Sequence, residues 1–241
     1  MLEAIGQTDT GRVRSSNQDA FRIFPDLGLY LLADGMGGAK GGARASMLAV
    51  DSVADALRRE ARRDASALTE AVEEANAKVF AESTADPRLE GMGTTLVAVL
   101  ETGDQDLAIV SVGDSRAYVL RAGRLQAITE DQTWVQEVGR PLGLDEASLR
   151  THPMRHVLTM AVGVGAALRY RYYSIELRDA ELMLLSSDGL HGVVSVADIE
   201  WILGDAMTSL EHKCSELISA AHAKGSPDNV TVVLLRRSDE K

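Results

Sequence analysis

The strongest constraint in the sequence is an apolar run that ends in an aspartate, at residues 29–34 (LYLLAD). Four large apolar residues followed by a small one, bounded by turn formers, are typical of a buried strand. Asp34 is expected where this strand leaves the sheet, just before the glycine-rich residues 35–38 (GMGG). A single aspartate in this position is common in ordinary loops and indicates nothing by itself.

The arrangement recurs, however. Residues 107–113 (LAIVSVG) lead into Asp114, and residues 182–187 (LMLLSS) lead into Asp188. Asp228 instead precedes an apolar run at residues 230–235 (VTVVLL). If that last strand runs opposite to the others, all four carboxylates meet at one end of the sheets. Crowded carboxylates resist ionisation, and hard cations such as Mg²⁺ or Mn²⁺ relieve them because they prefer oxygen ligands. The sequence therefore predicts a metal-carboxylate centre.

Composition limits the remaining possibilities. A chain of 241 residues with 45% hydrophobic content is expected to form one domain with a large core. The net charge of −11 argues against a nucleic-acid or anionic-membrane surface. Cys214 is the only cysteine, which excludes an internal disulfide. We see neither a signal peptide nor an apolar run of membrane-spanning length, so a reducing cytoplasm is the expected location.

The order of the expected elements indicates a layered α/β protein and not a regularly alternating Rossmann sheet. Strands are expected at residues 3–8, 20–33 (interrupted by a turn at about 25–28), 93–100, 106–113, 118–128 (a hairpin), 169–177, 181–187 and 230–235. Helices are expected from about residue 42, and at 65–84, 196–203 and 208–223. Residues 131–163 contain short helical pieces, two prolines and several glycines, and we interpret them as a flap or small insert.

Two other motifs were weighed and set aside. The glycine-rich residues 35–42 match neither the P-loop nor the dinucleotide-binding pattern. They are better suited to close approach of the backbone to a metal or phosphate. His152 and His156 are four residues apart, as zinc ligands on a helix are, but Pro153 lies between them and no third ligand is evident. A zinc site is therefore not expected.

Taken together, six segments resemble the bacterial metal-dependent serine/threonine protein phosphatases of the type-2C (PPM) family. They occur in the family's order and cover nearly the whole chain, so the set is specific although each segment is weak alone. The segments are residues 11–19 (GRVRSSNQD), 33–38 (ADGMGG), 91–95 (GMGTT), 112–116 (VGDSR), 187–190 (SDGL) and 227–231 (PDNVT).

The resemblance implies an α/β (α+β) fold, a four-layer α-β-β-α sandwich of two mostly antiparallel sheets flanked by helix pairs. It implies that Asp34 bridges two Mn²⁺ or Mg²⁺ ions and that the Gly35 carbonyl helps to hold one of them. Asp188 and Asp228 would hold the other. Asp114, with Asp188, would hold a more loosely bound third ion. All 241 residues would form a single phosphatase domain.

The resemblance also assigns the chemistry. Asp34, Asp188 and Arg14 would be the catalytic residues, with Arg14 binding the substrate phosphate and with Asp19 and Asn229 supporting the ligands. A guanidinium suits that task because it donates paired hydrogen bonds to phosphate oxygens. The two cations would activate a bridging water, which attacks phosphorus in line without a covalent intermediate.

The chain departs from the family pattern near the first aspartate. Some members carry a histidine there as the proposed general acid, whereas no histidine lies near Asp34 in this sequence. Ala39 and Ala43 stand where histidine and glutamate are common, and Gly192 stands where aspartate is common. The proton donor is thus unassigned, and a metal-bound water near Asp114 is the sequence-based candidate.

Three functions are compatible with these residues. The leading one is hydrolysis of phosphoserine and phosphothreonine on proteins, opposing a bacterial serine/threonine kinase. A catalytically silent relative that binds phosphoproteins is disfavoured because a binding module needs no dimetal site. A small-molecule phosphohydrolase with the same centre differs only in its substrate, and the sequence separates it poorly from the first. Neither nucleic acid nor membrane is an expected partner.

Overall fold

The computed structural model describes residues 2–103 and 106–237, apart from the side chains of residues 39 and 40. The strands are β1 (Leu2–Asp9), β2 (Asp19–Phe24), β3 (Leu29–Met36), β4 (Gly93–Thr94), β5 (Leu96–Glu101), β6 (Asp106–Val112), β7 (Arg116–Arg121), β8 (Arg124–Ala127), β9 (Arg171–Glu176), β10 (Leu182–Ser186) and β11 (Val230–Arg237). The helices are α1 (Gly38–Arg59), α2 (Ala65–Ala85), α3 (Glu146–Thr151), α4 (Asp188–His191), α5 (Val196–Gly204) and α6 (Leu210–Ala223).

The strands form two sheets. One has the order β1-β11-β10-β7-β8, and the other has the order β2-β3-β5-β6-β9, with the short β4 paired to β3. Every pairing between these strands is antiparallel. In particular, β11 runs antiparallel to β10, which brings the start of β11 beside the end of β10. This is the strand direction that the clustering of Asp188 and Asp228 requires.

Three apolar layers explain why the apolar runs are continuous. In β3, Leu29 and Leu31 face α1 and α2, whereas Tyr30 and Leu32 face the other sheet. A strand buried on both faces needs apolar residues at every position, not at alternate ones. The third layer packs α5 and α6 against β10 and β11. The fold is therefore the expected four-layer α-β-β-α sandwich.

The structure differs from the expected elements at three places near the cleft. The strand after residue 28 does not end at Asp34, because Asp34 pairs with Asp19 of β2 and Gly35 pairs with Thr94 of β4. The strand expected at residues 93–100 is divided at Thr95. The first helix begins at Gly38, four residues before the expected start, directly after Gly37, which has a φ of 109°.

Residues 131–163 contain little regular structure. A π-helical turn (Val135–Gly139) and α3 are its helical pieces, and Thr133 and Leu158 form an isolated antiparallel bridge. The segment ends beside the sheet that contains β3, where Val162 pairs with Thr94 of β4. Within the described residues, no helix has both the length and the apolar character that crossing a bilayer requires.

Candidate metal centre

A cleft of about 770 Å³ opens at one end of the two sheets. Seven of the eight sequence-predicted site residues line it, namely Arg14, Asp34, Gly35, Asp114, Asp188, Asp228 and Asn229. Asp19, the eighth, does not line the cleft but hydrogen-bonds to Ser187 and Thr231, next to the segments that carry Asp188 and Asp228. Residues 156–158 of the 131–163 segment also line the cleft.

Asp34 is held at the centre of the cleft by its own backbone. Its N–H donates to Thr95 Oγ1 at 2.9 Å, and its carbonyl accepts from Thr95 N at 2.8 Å. The next residue must be glycine because a Cβ on Gly35 would lie 2.1 Å from the Gly42 carbonyl oxygen. This close approach lets the first turn of α1 lie against the strand end, so backbone and carboxylate oxygens face the same space.

Asp188 is positioned by the junction of β10 with α4. A Cβ on the following Gly189 would lie 1.8 Å from the Asn229 carbonyl oxygen, so only glycine lets the two segments meet. The carboxylate of Asp188 lies close enough to those of Asp34 and Asp228 to interact with them electrostatically. Its Oδ1 is buried without any hydrogen-bond partner. Burying a carboxylate oxygen without a partner is costly, so this atom indicates a ligand.

Asp19 supports the floor of the cleft. Its Oδ2 accepts hydrogen bonds from Ser187 Oγ at 2.8 Å and from Thr231 Oγ1 at 2.6 Å. These donors come from the segments that carry Asp188 and Asp228, so Asp19 ties both to β2. Burial raises the pKa of Asp19 to about 6, although the two hydroxyl donors oppose that rise.

Asn229 holds the loop that precedes β2. Its Nδ2 donates to the carbonyls of Thr10 and Ser16 at 2.8 and 3.0 Å, and its Oδ1 accepts from Gln18 N at 2.9 Å. Both of its amide N–H donors and its carbonyl oxygen are thus used for the backbone of one loop. That loop carries Arg14.

Arg14 lies at the rim of the cleft, where its Nη2 donates to Asp228 Oδ2 at 2.6 Å. This hydrogen bond and the charge of Asp228 raise the pKa of Arg14, so the guanidinium stays charged. About 47% of its side chain is exposed, which leaves donors facing the cleft opening. The structure therefore places the arginine on a predicted metal ligand, with room to contact a second anion.

Asp114 follows Gly113, whose φ of 90° turns the chain out of β6. The Gly113 N–H donates to the Gln132 side-chain oxygen at 2.9 Å, and Gln132 N donates back to the Gly113 carbonyl at 2.8 Å. Burial, together with the charges of Asp188 and Asp131, raises the pKa of Asp114 to about 7. Asp114 is therefore poised to exchange a proton for a cation near neutral pH.

Burial and mutual repulsion raise the pKa values of the carboxylates in this cleft. Burial, followed by the charges of Asp19, Asp188, Asp114 and Asp228, raises the pKa of Asp34 well above its ordinary value. Burial and the charge of Asp228 likewise raise the pKa of Asp188. Carboxylates that disfavour each other's ionisation in this way become stable when protons or cations neutralise them.

The donor set fits hard divalent cations. It consists of oxygens only, and its buried Asp188 Oδ1 has no partner in the described part of the chain. As the side chains lie, no three or more histidine, cysteine, aspartate or glutamate residues among those described are arranged to hold one ion. The carboxylate of Asp228 is held instead by Arg14, whose Nη2 donates to its Oδ2.

Sequence reasoning missed several residues of this site. Thr95 and Gln132 position Asp34 and Asp114 through hydrogen bonds between distant segments, and no local pattern marks such contacts. The helical turn α4 was missed because four residues give no periodicity. His191, to which sequence reasoning gave no role, is partly buried on this turn with its Nδ1 2.8 Å from Ser186 Oγ. Burial and the neighbouring Arg116 lower its pKa well below the usual value.

The architecture and the cleft together define a class of protein that binds divalent cations at the end of an α-β-β-α sandwich. Comparison with known families agrees, because the model of the Protein phosphatase 2C family matches residues 8–219. The chain belongs to this family and is accordingly a phosphoric monoester hydrolase.

Named relatives support the same assignment. The chain is 32% identical to the serine/threonine phosphatase stp of Listeria innocua, over 98% of this chain and 96% of the relative. It is 36% identical to the serine/threonine protein phosphatase PstP of Mycobacterium tuberculosis, over 97% of this chain and 45% of the relative.

Solved structures agree in fold. The catalytic domain of a PstP phosphatase in complex with two manganese ions has a TM-score of 0.84 at 36% identity, covering 98% of this chain and 97% of that one. Stp1 from Staphylococcus aureus has a TM-score of 0.90 at 30% identity, covering 99% and 96%.

Proposed function

We propose that this chain hydrolyses phosphoserine and phosphothreonine on proteins and opposes a bacterial serine/threonine kinase. The observation that carries the proposal is the cluster of carboxylates in one cleft, where a buried oxygen of Asp188 has no partner and Arg14 lies at the rim. The relatives named above are serine/threonine phosphatases, which supports phosphoproteins as the substrate class.

In this proposal the carboxylates are the resident cation ligands. Asp34 and the Gly35 carbonyl would hold one ion, Asp188 and Asp228 would hold another, and Asp114 with Asp188 would hold a third, more loosely bound one. When Mn²⁺ or Mg²⁺ is bound, it supplies an activated water and positive charge that stabilises the transferring phosphoryl group. Asp19 and Asn229 do not touch the substrate but fix the segments on which the ligands lie.

Arg14 binds the substrate phosphate. Its guanidinium is exposed enough to donate paired hydrogen bonds to two phosphate oxygens while it stays near Asp228. It also offsets negative charge as the P–O bond to the serine or threonine oxygen breaks. Holding the ester against the floor of the cleft converts the reaction into one between positioned partners.

The chain forms a single phosphatase domain in this proposal, with residues 131–163 as a flap-like insert. The support is that one sandwich takes its strands from both ends of the described chain, since β1 pairs with β11. Residues 156–158 of the insert line the cleft together with the carboxylates. A cytoplasmic location follows from the single cysteine and from the intracellular nature of a kinase-opposing reaction.

The test is Mn²⁺-dependent hydrolysis of a phosphothreonine peptide and of p-nitrophenyl phosphate. We expect activity that a chelator abolishes, and that Asp34→Asn or Asp188→Asn lowers by about 10³-fold or more because the nucleophile is no longer generated. Asp26→Asn is the matched control, since Asp26 is exposed in the turn between β2 and β3, at the end of this hairpin away from the paired Asp19 and Asp34. Robust turnover in excess chelator would disprove the mechanism.

The same assay separates the two alternatives. A catalytically silent relative would bind the phosphopeptide without releasing phosphate from it. A small-molecule phosphohydrolase would turn over phosphorylated metabolites with a kcat/KM well above that for any phosphopeptide. We expect the phosphopeptide to be the better substrate.

A further inference from the structure

One histidine lines the cleft, and neither the fold nor the sequence pattern assigned it a role. The chain has five histidines. His156, on the 131–163 segment, lines the cleft together with the carboxylates. The other four are engaged elsewhere: His152 stacks on Trp134, His191 contacts Ser186, His212 pairs with Glu216, and His222 pairs with Asp9.

The backbone around His156 is fixed relative to the site. Trp134 N donates to the Val157 carbonyl at 2.8 Å, and Thr159 N donates to the Gln132 carbonyl at 2.9 Å. Gln132 is only 1% exposed and exchanges hydrogen bonds with Gly113, the residue before Asp114. The segment that carries His156 is thus joined by short backbone bonds to the loop that carries a predicted cation ligand.

The imidazole itself is available for a ligand. His156 is exposed, and neither of its ring nitrogens has a hydrogen-bond partner among the described residues. It lies within electrostatic range of Asp188 and lines the same cleft. The charged groups that line the cleft with it are Arg14, Asp34, Asp114, Asp188 and Asp228.

The in-line geometry of displacement at phosphorus makes the position of His156 relevant to the leaving oxygen. Displacement at phosphorus is in line, so the leaving oxygen lies opposite the attacking oxygen. Attack by a water held at the carboxylates therefore turns the leaving oxygen away from them, towards the part of the cleft wall that carries no carboxylate. His156 is one of the residues of the lining that is not a predicted ligand. An alkoxide of serine or threonine is a poor leaving group, so a proton donor at that wall lowers the barrier.

We propose that His156 is the proton donor to the serine or threonine oxygen. This inference rests on the proposed function and names a catalytic residue for it. The water oxygen forms a bond to phosphorus as the bond from phosphorus to the side-chain oxygen breaks. The imidazolium N–H proton passes to that oxygen, so the products are a neutral hydroxyl side chain and inorganic phosphate. The neutral imidazole then regains a proton from solvent.

The test compares two substrates that differ in their need for a proton. We expect His156→Gln to lower kcat on a phosphothreonine peptide by about 10²-fold, the usual contribution of a general acid. On p-nitrophenyl phosphate, whose phenolate leaves without protonation, we expect a loss of less than about threefold. A series of aryl and alkyl phosphates should show a steeper dependence of kcat on leaving-group basicity in the variant than in the wild type.

His152→Gln is the matched control, because His152 lies on the same segment but stacks on Trp134 instead of lining the cleft. It should leave both substrates unaffected to within about threefold. Equal losses on both substrates, or a change in KM alone, would overturn the assignment of His156. If the wild type hydrolyses neither substrate with Mn²⁺, the proposed function itself fails. If the wild type turns over normally and His156→Gln hydrolyses the phosphopeptide at the wild-type rate, only the assignment of His156 as the proton donor is refuted.

Discussion

The two sides of the cleft are built in different ways. The floor consists of strand ends from both sheets, where Asp34 is fixed by Thr95 and where Asp19 receives two hydroxyl donors. The wall consists of residues 156–158, whose only sheet-like feature is the isolated bridge between Thr133 and Leu158. The floor carries oxygen ligands, whereas the wall carries an imidazole and apolar side chains.

This difference indicates a division of labour. Strand register holds the floor carboxylates to within the tolerance that shared cations require, even though their repulsion destabilises the fold. Irregular segments such as the wall tolerate changes in length and sequence without disturbing the sheets. We therefore expect substitutions in the floor to affect every substrate, and substitutions in the wall to distinguish between substrates.

After the floor aspartates themselves, the largest effect common to all substrates is expected at Arg14, which lies on the floor residue Asp228. Arg14→Ala should lower kcat/KM for a phosphothreonine peptide by about 10–100-fold, because a charge-assisted hydrogen bond to phosphate contributes about 1.5–3 kcal/mol. The loss should be similar for p-nitrophenyl phosphate, since both substrates present the same phosphoryl group. Steady-state kinetics at saturating Mn²⁺ measure both values.

Arg12→Ala is the matched control, because it removes the same charge from the same exposed loop. Arg12 has no ion pair among the described residues. If both variants lose the same activity, long-range attraction and not phosphate binding explains the effect. Arg14→Lys, which keeps the charge but not the paired donors, should lie between alanine and the wild type.

The contrast between floor and wall also explains what the sequence could predict. The strands around Asp34, Asp114, Asp188 and Asp228 were predictable because each is a continuous apolar run buried on both faces. Their convergence was predictable once the last strand was assumed to run in the opposite direction. The division of the strand at Thr95 was not, because the cause is a side-chain bond to Asp34 sixty-one residues away.

The wall gave no comparable signal. The spacing of His152 and His156 suggests a pair of ligands in the sequence. In the structure His152 stacks on Trp134, whereas His156 lines the cleft. Which histidine does which depends on the bonds of residues 157 and 159 to residues 134 and 132. Such contacts are tertiary, and neither periodicity nor composition encodes them. The start of α1 was placed four residues late for a related reason, since a glycine-rich run is typical of a loop.

A second prediction concerns Gln132, the residue that joins the wall to the floor. Gln132→Ala should lower the free energy of unfolding by about 1–3 kcal/mol, because it leaves the buried Gly113 N–H without its acceptor. It should also lower kcat on phosphopeptides more than on p-nitrophenyl phosphate, because the position of His156 depends on it. Urea unfolding and the two-substrate assay measure these effects.

The control for that substitution is Gln126→Ala, since Gln126 is exposed on β8. It should change the unfolding free energy by less than about 0.5 kcal/mol. An unchanged stability of Gln132→Ala would mean that the floor holds Gly113 without help from the wall. The two sides of the cleft would then be independent, contrary to the hydrogen bonds described above.

The smallest expected effect is a pH dependence of stability that arises from the floor carboxylate Asp114. Because the pKa of Asp114 is raised to about 7, the native state holds a proton that the unfolded state releases at lower pH. The free energy of unfolding of the chelator-treated protein should therefore fall as pH rises through this value. His191 acts in the opposite direction, since its lowered pKa makes stability rise with pH, but only up to its ordinary pKa.

The difference between wild type and Asp114→Asn isolates the carboxylate. At pH 8 the variant should be more stable than the chelator-treated wild type, because it carries no charge at this position. We expect a difference of only about 1 kcal/mol, close to the value of one pKa unit, because water in the open cleft screens much of the repulsion. At pH 5 the difference should be smaller, because Asp114 is then protonated. Added Mn²⁺ should stabilise the wild type more at pH 8 than at pH 5, because cations replace protons on the floor. A wild type that gains stability relative to the variant as pH rises would contradict the view that the floor carboxylates repel each other.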